Sequence, residues 1–117
     1  GSKSEEKSKL LHEIDAYIQE NFMEMLTSQM LSSRFGLVPS YISRLFKEYK
    51  GISPSDYIQN LRIEKAKELL RSNPELKVKD VAYMVGYADQ FHFSRVFKSV
   101  EKQSPAEFRK NQPVRQG

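Results

Sequence analysis

Ser43-Arg44-Leu45-Phe46-Lys47 returns 51 positions later as Ser94-Arg95-Val96-Phe97-Lys98. At the same offset, Ser53-Pro54-Ser55-Asp56-Tyr57 returns as Ser104-Pro105-Ala106-Glu107-Phe108. Two blocks sharing one offset imply two copies of one supersecondary unit. Such a chain folds as a pair of related units, and what one copy presents to a partner the other presents again.

The periodicity between the repeats is helical. Strand signals are poor, with few β-branched residues and no Asn-Gly or Asp-Gly turn. Leu10, Leu11, Ile14, Tyr17, Ile18 and Phe22 recur at i, i+3, i+4 spacing and predict a first helix over about residues 7–21. Residues 1–6 are expected to form a disordered lead, in which Gly1-Ser2 reads as a cloning remnant. Thr27 can cap a short second helix carrying Met30, Leu31 and Phe35, with Gly36 supplying the turn. Pro39 suits the first turn of a third helix, whose inward stripe is Ile42, Leu45, Phe46 and Tyr49, and Gly51 stops it. Ser53-Pro54-Ser55-Asp56 is a start signal for a connecting helix over 53–71. Its broad apolar stripe (Ile58, Leu61, Ile63, Ala66, Leu69, Leu70) predicts burial between the two lobes.

Ser72-Asn73-Pro74 then breaks the pattern. Val78, Val81, Ala82 and Val85 make a short helix, and Gly86 turns the chain. Asp89 caps a sixth helix over 90–101 with Phe93, Val96 and Phe97 inward. Ser104-Pro105-Ala106-Glu107 opens a seventh through Arg109, and the tail over 112–117 is expected to be disordered. Met23, Met25, Met30 and Met84 read as gap fillers. The predicted fold is all-α: seven helices in two helix-turn-helix lobes, 7–52 and 72–111, joined by the long helix.

Composition excludes several classes of function. The chain has no Cys, so disulfides, thiolate metal sites and Cys nucleophiles are absent, and a cytoplasmic setting fits. No apolar run reaches membrane-spanning length, so no membrane partner is expected. His12 and His92 have no further ligand at usable spacing, and Ser94 has no evident base, so no cofactor, metal or enzyme activity is indicated. Charge is divided unevenly: residues 1–33 carry net −3 and residues 34–117 net +7. A basic body is the electrostatic footprint of a nucleic-acid binder, although solvated helix faces produce the same balance.

In a helix-turn-helix, the first helix braces a second that enters the major groove of DNA. Opposite its inward stripe, the third helix carries Ser40, Ser43, Arg44 and Lys47, and the sixth carries Gln90, Phe91, Ser94, Arg95 and Lys98. Arg reads guanine through paired hydrogen bonds, Gln reads adenine, and Phe can touch a thymine methyl group. Lys47 and Lys98, further along their helices, suit phosphates, with Tyr41 and His92 beside them. The connecting helix would span roughly 27 Å, near the 34 Å between successive major grooves on one face of DNA. The competing reading is a protein-docking module built from the same helices.

Ala82-x-x-Val85-Gly86-Tyr87, Phe93-x-Arg95-x-Phe97-Lys98 and Pro105-x-x-Phe108-Arg109 together resemble the signature of AraC/XylS-type transcriptional regulators. The first half agrees, from Pro39 to Lys47, then Gly51-Ile52-Ser53, Arg62 and Ala66-Lys67-x-Leu69-Leu70. The resemblance covers about residues 10–111. It implies two homeodomain-like units that bind double-stranded promoter DNA, activating transcription through contact with RNA polymerase. It places base contacts at Ser40, Ser43, Arg44, Gln90, Phe91, Ser94 and Arg95. It also implies a separate sensor domain, so the chain reads as an excised C-terminal domain. Because two units already give one chain two contacts, this fragment is expected to be monomeric, with dimerisation left open for a full-length protein. Val38 stands where the family often has a capping Ser, and Lys102 where Gly is usual. Weaker ends are therefore expected on the third and sixth helices.

Overall fold

The computed structural model describes residues 2–112, and among them are seven α-helices and no strand. These are α1 (Ser2–Asn21), α2 (Ser28–Phe35), α3 (Pro39–Lys50), α4 (Pro54–Ser72), α5 (Val78–Met84), α6 (Gln90–Glu101) and α7 (Pro105–Lys110). The chain divides into two compact units between Leu61 and Arg62, inside α4.

In the first unit, Leu11, Ile14 and Ile18 of α1 are buried against Leu31 of α2, Ile42, Leu45 and Phe46 of α3, and Ile58 of α4. Each fully buried aliphatic or Phe side chain of this kind is worth about 1.5–3 kcal/mol of transfer free energy. Leu26, in the connection between α1 and α2, joins this core although no periodicity announces it. A polar cluster binds the helix ends. Tyr57 Oη donates to Asp15 at 2.5 Å, Gln19 Nε2 donates to Tyr57 Oη at 2.9 Å, and Lys50 Nζ lies 3.0 Å from Asp15 Oδ2.

Helix α1 starts at Ser2, so residues 2–6 are helical and not the disordered lead that the apolar pattern implied. Residues 3–7 are all Lys, Ser or Glu, and a stretch without apolar residues gives no periodic signal. Glu and Lys are nonetheless good helix formers, and Glu5 lies in the first turn, where an anion favours the helix dipole. Tyr49 is exposed and not inward. It lies in the last turn of α3 and lines a shallow cleft with Ser8 and His12 of α1. The four methionines are also exposed, so none fills a gap in either core. Met23 and Met25 sit in the α1–α2 connection, and Met30 and Met84 on outward helix faces.

The second unit is built on aromatic rings. Tyr87, Phe93, Phe97 and Phe108 form a continuous run with successive ring centroids 5.5–5.8 Å apart. Ile63, Ala66 and Leu70 of α4 and Val81, Ala82 and Val85 close round them. The C-terminal part of α4 thus does for this unit what α1 does for the first. Leu11, Ile14 and Ile18 correspond to Ile63, Ala66 and Leu70 at an offset of 52. Leu69, counted among the apolar stripe, is only half-buried.

Arg109 holds the α4–α5 connection. Its guanidinium donates to the carbonyls of Leu70 at 3.2 Å, Leu76 at 2.6 Å and Asn73 at 3.2 Å. Ser104 and Glu107 make reciprocal backbone bonds that start α7, as the repeat implied. Gln112 caps the other end, its Nε2 donating to the Phe108 carbonyl at 3.0 Å. The rest of the expected disordered tail, residues 113–117, lies outside the described residues.

Candidate nucleic-acid interface

Both units use a short helix, a tight turn and a second helix, and the turn chemistry explains why. Gly36 closes α2 at φ 67°, its N–H donating to the Ser32 carbonyl. A Cβ there would meet nothing within 4 Å, so the glycine answers a need for positive φ and not for space. Gly86 turns the second unit at φ 105°, and Tyr87 N–H then donates to the Ala82 carbonyl at 2.9 Å. Thr27 Oγ1 accepts from Met30 N to start α2, and Asp89 Oδ1 accepts from Phe91 N at 2.9 Å to start α6.

Helix α3 begins without a side-chain cap at Val38, as expected from that residue. The end of α6 differs from expectation. Lys102 adopts the left-handed conformation at φ 66°, and its N–H closes on the Lys98 carbonyl at 2.8 Å. The helix end is well defined, and the lysine takes up the backbone strain that a glycine would avoid.

On α3 the structure exposes Ser40, Ser43, Arg44 and Lys47 and leaves Tyr41 half-buried. Arg44 lies over the Tyr41 ring at 5.8 Å, an arrangement that holds the guanidinium over the helix surface. Glu48 is exposed on the flank of this stripe. On α6, Phe91, His92, Arg95 and Lys98 are exposed, whereas Gln90 and Ser94 are half-buried. Ser94 lies on the flank of the helix beside the buried Phe93 and Phe97 stripe. His92 packs edge-on against Tyr87 at 5.5 Å, and the Arg62 guanidinium lies 5.4 Å from the centroid of the same ring. Burial raises the Tyr87 hydroxyl above its ordinary pKa, and the Arg62 charge and hydrogen bond offset only part of the effect. Phe91, Tyr83 and Met84 are exposed around one cleft beside the start of α6.

The sequence reading missed Arg109 as a structural clamp, since a basic residue in a last turn looks like an ordinary surface charge. It also missed the exposed Tyr83, whose neighbours Val81, Ala82 and Val85 are all buried.

Residues 31–111 match the family described as "Helix-turn-helix domain". Over 99 residues the chain is 33% identical to the HTH-type transcriptional activator RhaS of Enterobacter sp. (strain 638), spanning 85% of this chain and 35% of RhaS. The C-terminal domain of AraT, a response regulator from Geobacillus stearothermophilus, matches with a TM-score of 0.85 at 34% identity, over 90% of this chain and 87% of that one. A Chromobacterium violaceum regulator described as having an AraC-type DNA-binding domain matches at TM-score 0.78 and 27% identity, over 97% of this chain and 100% of that one. This chain belongs to the AraC/XylS-type family. It has the seven-helix, double helix-turn-helix fold of the AraC-type DNA-binding domain, in a family of DNA-binding transcription regulators. The chain spans about a third of the length of the curated relatives it matches. No helix among the described residues is long and apolar enough to cross a membrane.

Proposed function

We propose that this AraC-type domain binds double-stranded promoter DNA sequence-specifically, with α3 and α6 entering successive major grooves, as the DNA-reading part of a bacterial transcription activator. The observation that carries the reading is the same arrangement built twice. In each unit a helix after a glycine turn buries one stripe (Ile42, Leu45 and Phe46; Phe93 and Phe97) and exposes Arg and Lys on the other. Exposed cations on a fixed helix are what phosphate attraction and base reading both require.

Arg44, Ser40 and Ser43 on α3, and Arg95, Phe91, Gln90 and Ser94 on α6, are the base-facing set. Lys47, Lys98, Tyr41 and His92 serve the backbone. The half-buried state of Gln90 and Ser94 gives them the smaller share of direct reading. The activator named among the relatives supports activation; contact with RNA polymerase in the cytoplasm is proposed along with it. The domain acts as a monomer by itself, having two reading helices already, and no enzyme activity is proposed.

The test is selection from a randomised duplex pool, followed by fluorescence anisotropy across salt. Affinity for the selected duplex should fall steeply with salt as counterions are released. Lys47→Ala should weaken binding to all duplexes alike and lower the salt slope by about 1. Arg95→Ala should cost about 1–3 kcal/mol and relax one base pair. Salt-insensitive binding without sequence preference would reject the reading.

A further inference from the structure

We propose that the cleft beside the start of α6 binds a small organic cation, an aromatic or alkyl group carrying an ammonium. Its occupancy keeps DNA from the first turn of that helix, a consequence that rests on the DNA-binding reading above. The cleft measures about 800 Å³ and lies wholly within the second unit, between α5 and the residues that lead into α6. That size suits a small-molecule ligand. Tyr83, 78% exposed, and Phe91, 67% exposed, line it together with Met84 and Tyr87. Core packing does not account for Tyr83, Met84 or Phe91, because Val81, Ala82 and Val85 and then Phe93 and Phe97 already fill the core.

The chemistry of the lining selects the charge of the ligand. Asp80 and Asp89 also face the cleft, and each spends one oxygen on a backbone N–H. Asp80 Oδ2 accepts from Lys77 N at 3.1 Å, and Asp89 Oδ1 accepts from Phe91 N at 2.9 Å, so both carboxylates are held in place. Neither makes an ion pair among the described residues. Aromatic rings present a negative face, and rings beside unpaired carboxylates favour a cation with an apolar envelope. Lys79 adds an ammonium to the lining, on an exposed side chain whose flexible stem keeps that charge in water. The dipole of α6 adds about half a positive charge at its first turn, which Asp89 alone outweighs. Gln90 and Phe91 line the cleft and also belong to the base-facing set, so a ligand seated against them competes with DNA for one surface.

The experiment uses probes that share one ring and differ in charge: benzyltrimethylammonium, benzyl alcohol and phenylacetate. Each is titrated into the isotope-labelled chain and followed by the amide signals of Tyr83, Met84 and Phe91. The ammonium should saturate these shifts and bind about five-fold more tightly than the alcohol, with phenylacetate weakest. Tyr83→Ala should weaken the ammonium about two- to five-fold, and so should Asp89→Asn, which keeps the helix cap and removes the charge. Against the duplex selected above, the ammonium should raise the apparent Kd beyond the effect of sodium chloride at the same concentration. Tyr83→Ala, outside the base-facing set, should bind that duplex as wild type does and show less of the excess. Equal affinity for ammonium and alcohol, tighter binding of phenylacetate, or unchanged ammonium affinity in Tyr83→Ala overturns the site. Failure of every probe to saturate overturns it too, and assigns the exposed rings to a protein partner. Ammonium binding without the excess effect on the duplex overturns the competition with DNA. If no duplex is selected while the ammonium still binds, the DNA-binding reading falls and the cation site stands.

Discussion

The Asp15 carboxylate lies 3.0 Å from the Lys50 ammonium and ties α1 to the end of α3. The second unit makes the same tie with the charges exchanged, Lys67 of α4 lying 3.2 Å from Glu101 at the end of α6. An aromatic ring accompanies each ammonium, Tyr57 of α4 at 4.8 Å from Lys50 and Phe108 of α7 at 5.9 Å from Lys67. The position is one where the fold wants opposite charges and accepts either order.

A charge exchange tests this. Asp15→Lys should destabilise the domain by leaving two ammonium groups together, and adding Lys50→Glu should restore most of the loss. The coupling expected for such a half-buried pair is about 1 kcal/mol, read from urea midpoints in a double-mutant cycle. A double variant no more stable than Asp15→Lys would show that the order of charges matters after all.

The same cluster predicts a pH profile. Burial pushes the Asp15 carboxyl up, but the Tyr57 hydrogen bond, Lys50 and Gln19 outweigh it and hold the group below its ordinary 3.8. Its stabilisation is complete above that value and is lost as pH falls through the lower folded pKa. Lys50 is raised above 10.5 by its bond to Asp15, and Tyr57 above 10.0 by burial and then by the same carboxylate. Their contributions hold at neutral pH and are lost as pH climbs past those values. The melting-temperature gap between wild type and Asp15→Asn should therefore be widest across the neutral range and shrink below pH 3.8. A gap as wide at pH near 3 as at neutrality would contradict it.

Arg109 should be indispensable for a geometric reason and not for its charge. Its planar fork serves three carbonyls at once, that of Leu70 in the last turns of α4 and those of Asn73 and Leu76 in the α4–α5 connection. Arg109→Ala should cost about 2–4 kcal/mol, and Arg109→Lys should recover less than half, because an ammonium cannot span all three. Full recovery with Lys would reduce the role to electrostatics.

Two helix ends can be strengthened. Val38 gives α3 no side-chain cap, so Val38→Ser should add about 0.5–1 kcal/mol. Lys102 holds φ 66° with a Cβ in place, so Lys102→Gly should add a similar amount, about 0.5–1 kcal/mol, despite losing the Nζ bond to the Ser99 carbonyl. A lower melting temperature in the latter variant would mean that the side-chain bond outweighs the strain.

Much of this fold was written in short-range chemistry. Thr27, Asp89 and Ser104 cap helices through bonds to residues two or three places on, and the apolar stripes of α3 and α6 repeat at helical spacing. Such signals survive in a bare sequence because both partners lie within one turn. The outward stripes with Arg44, Lys47, Phe91, Arg95 and Lys98 follow by subtraction from the inward ones. The polar start of α1 did not, because helix without an apolar face leaves no period to detect. Nor did the exposure of Tyr49 and the methionines, which depends on where the neighbouring elements stop.

By itself, then, the sequence determined the seven helices, the doubled unit and the pair of outward cationic stripes, all through local periodicity and capping. Tertiary structure alone decided that α4 supplies the second unit's counterpart of α1, with Ile63, Ala66 and Leu70 in the places of Leu11, Ile14 and Ile18. It also decided that Arg109 closes on Leu70, Asn73 and Leu76, and that Lys67 meets Glu101. These contacts join residues more than thirty positions apart, and only the packed chain brings their charges and carbonyls within hydrogen-bond reach.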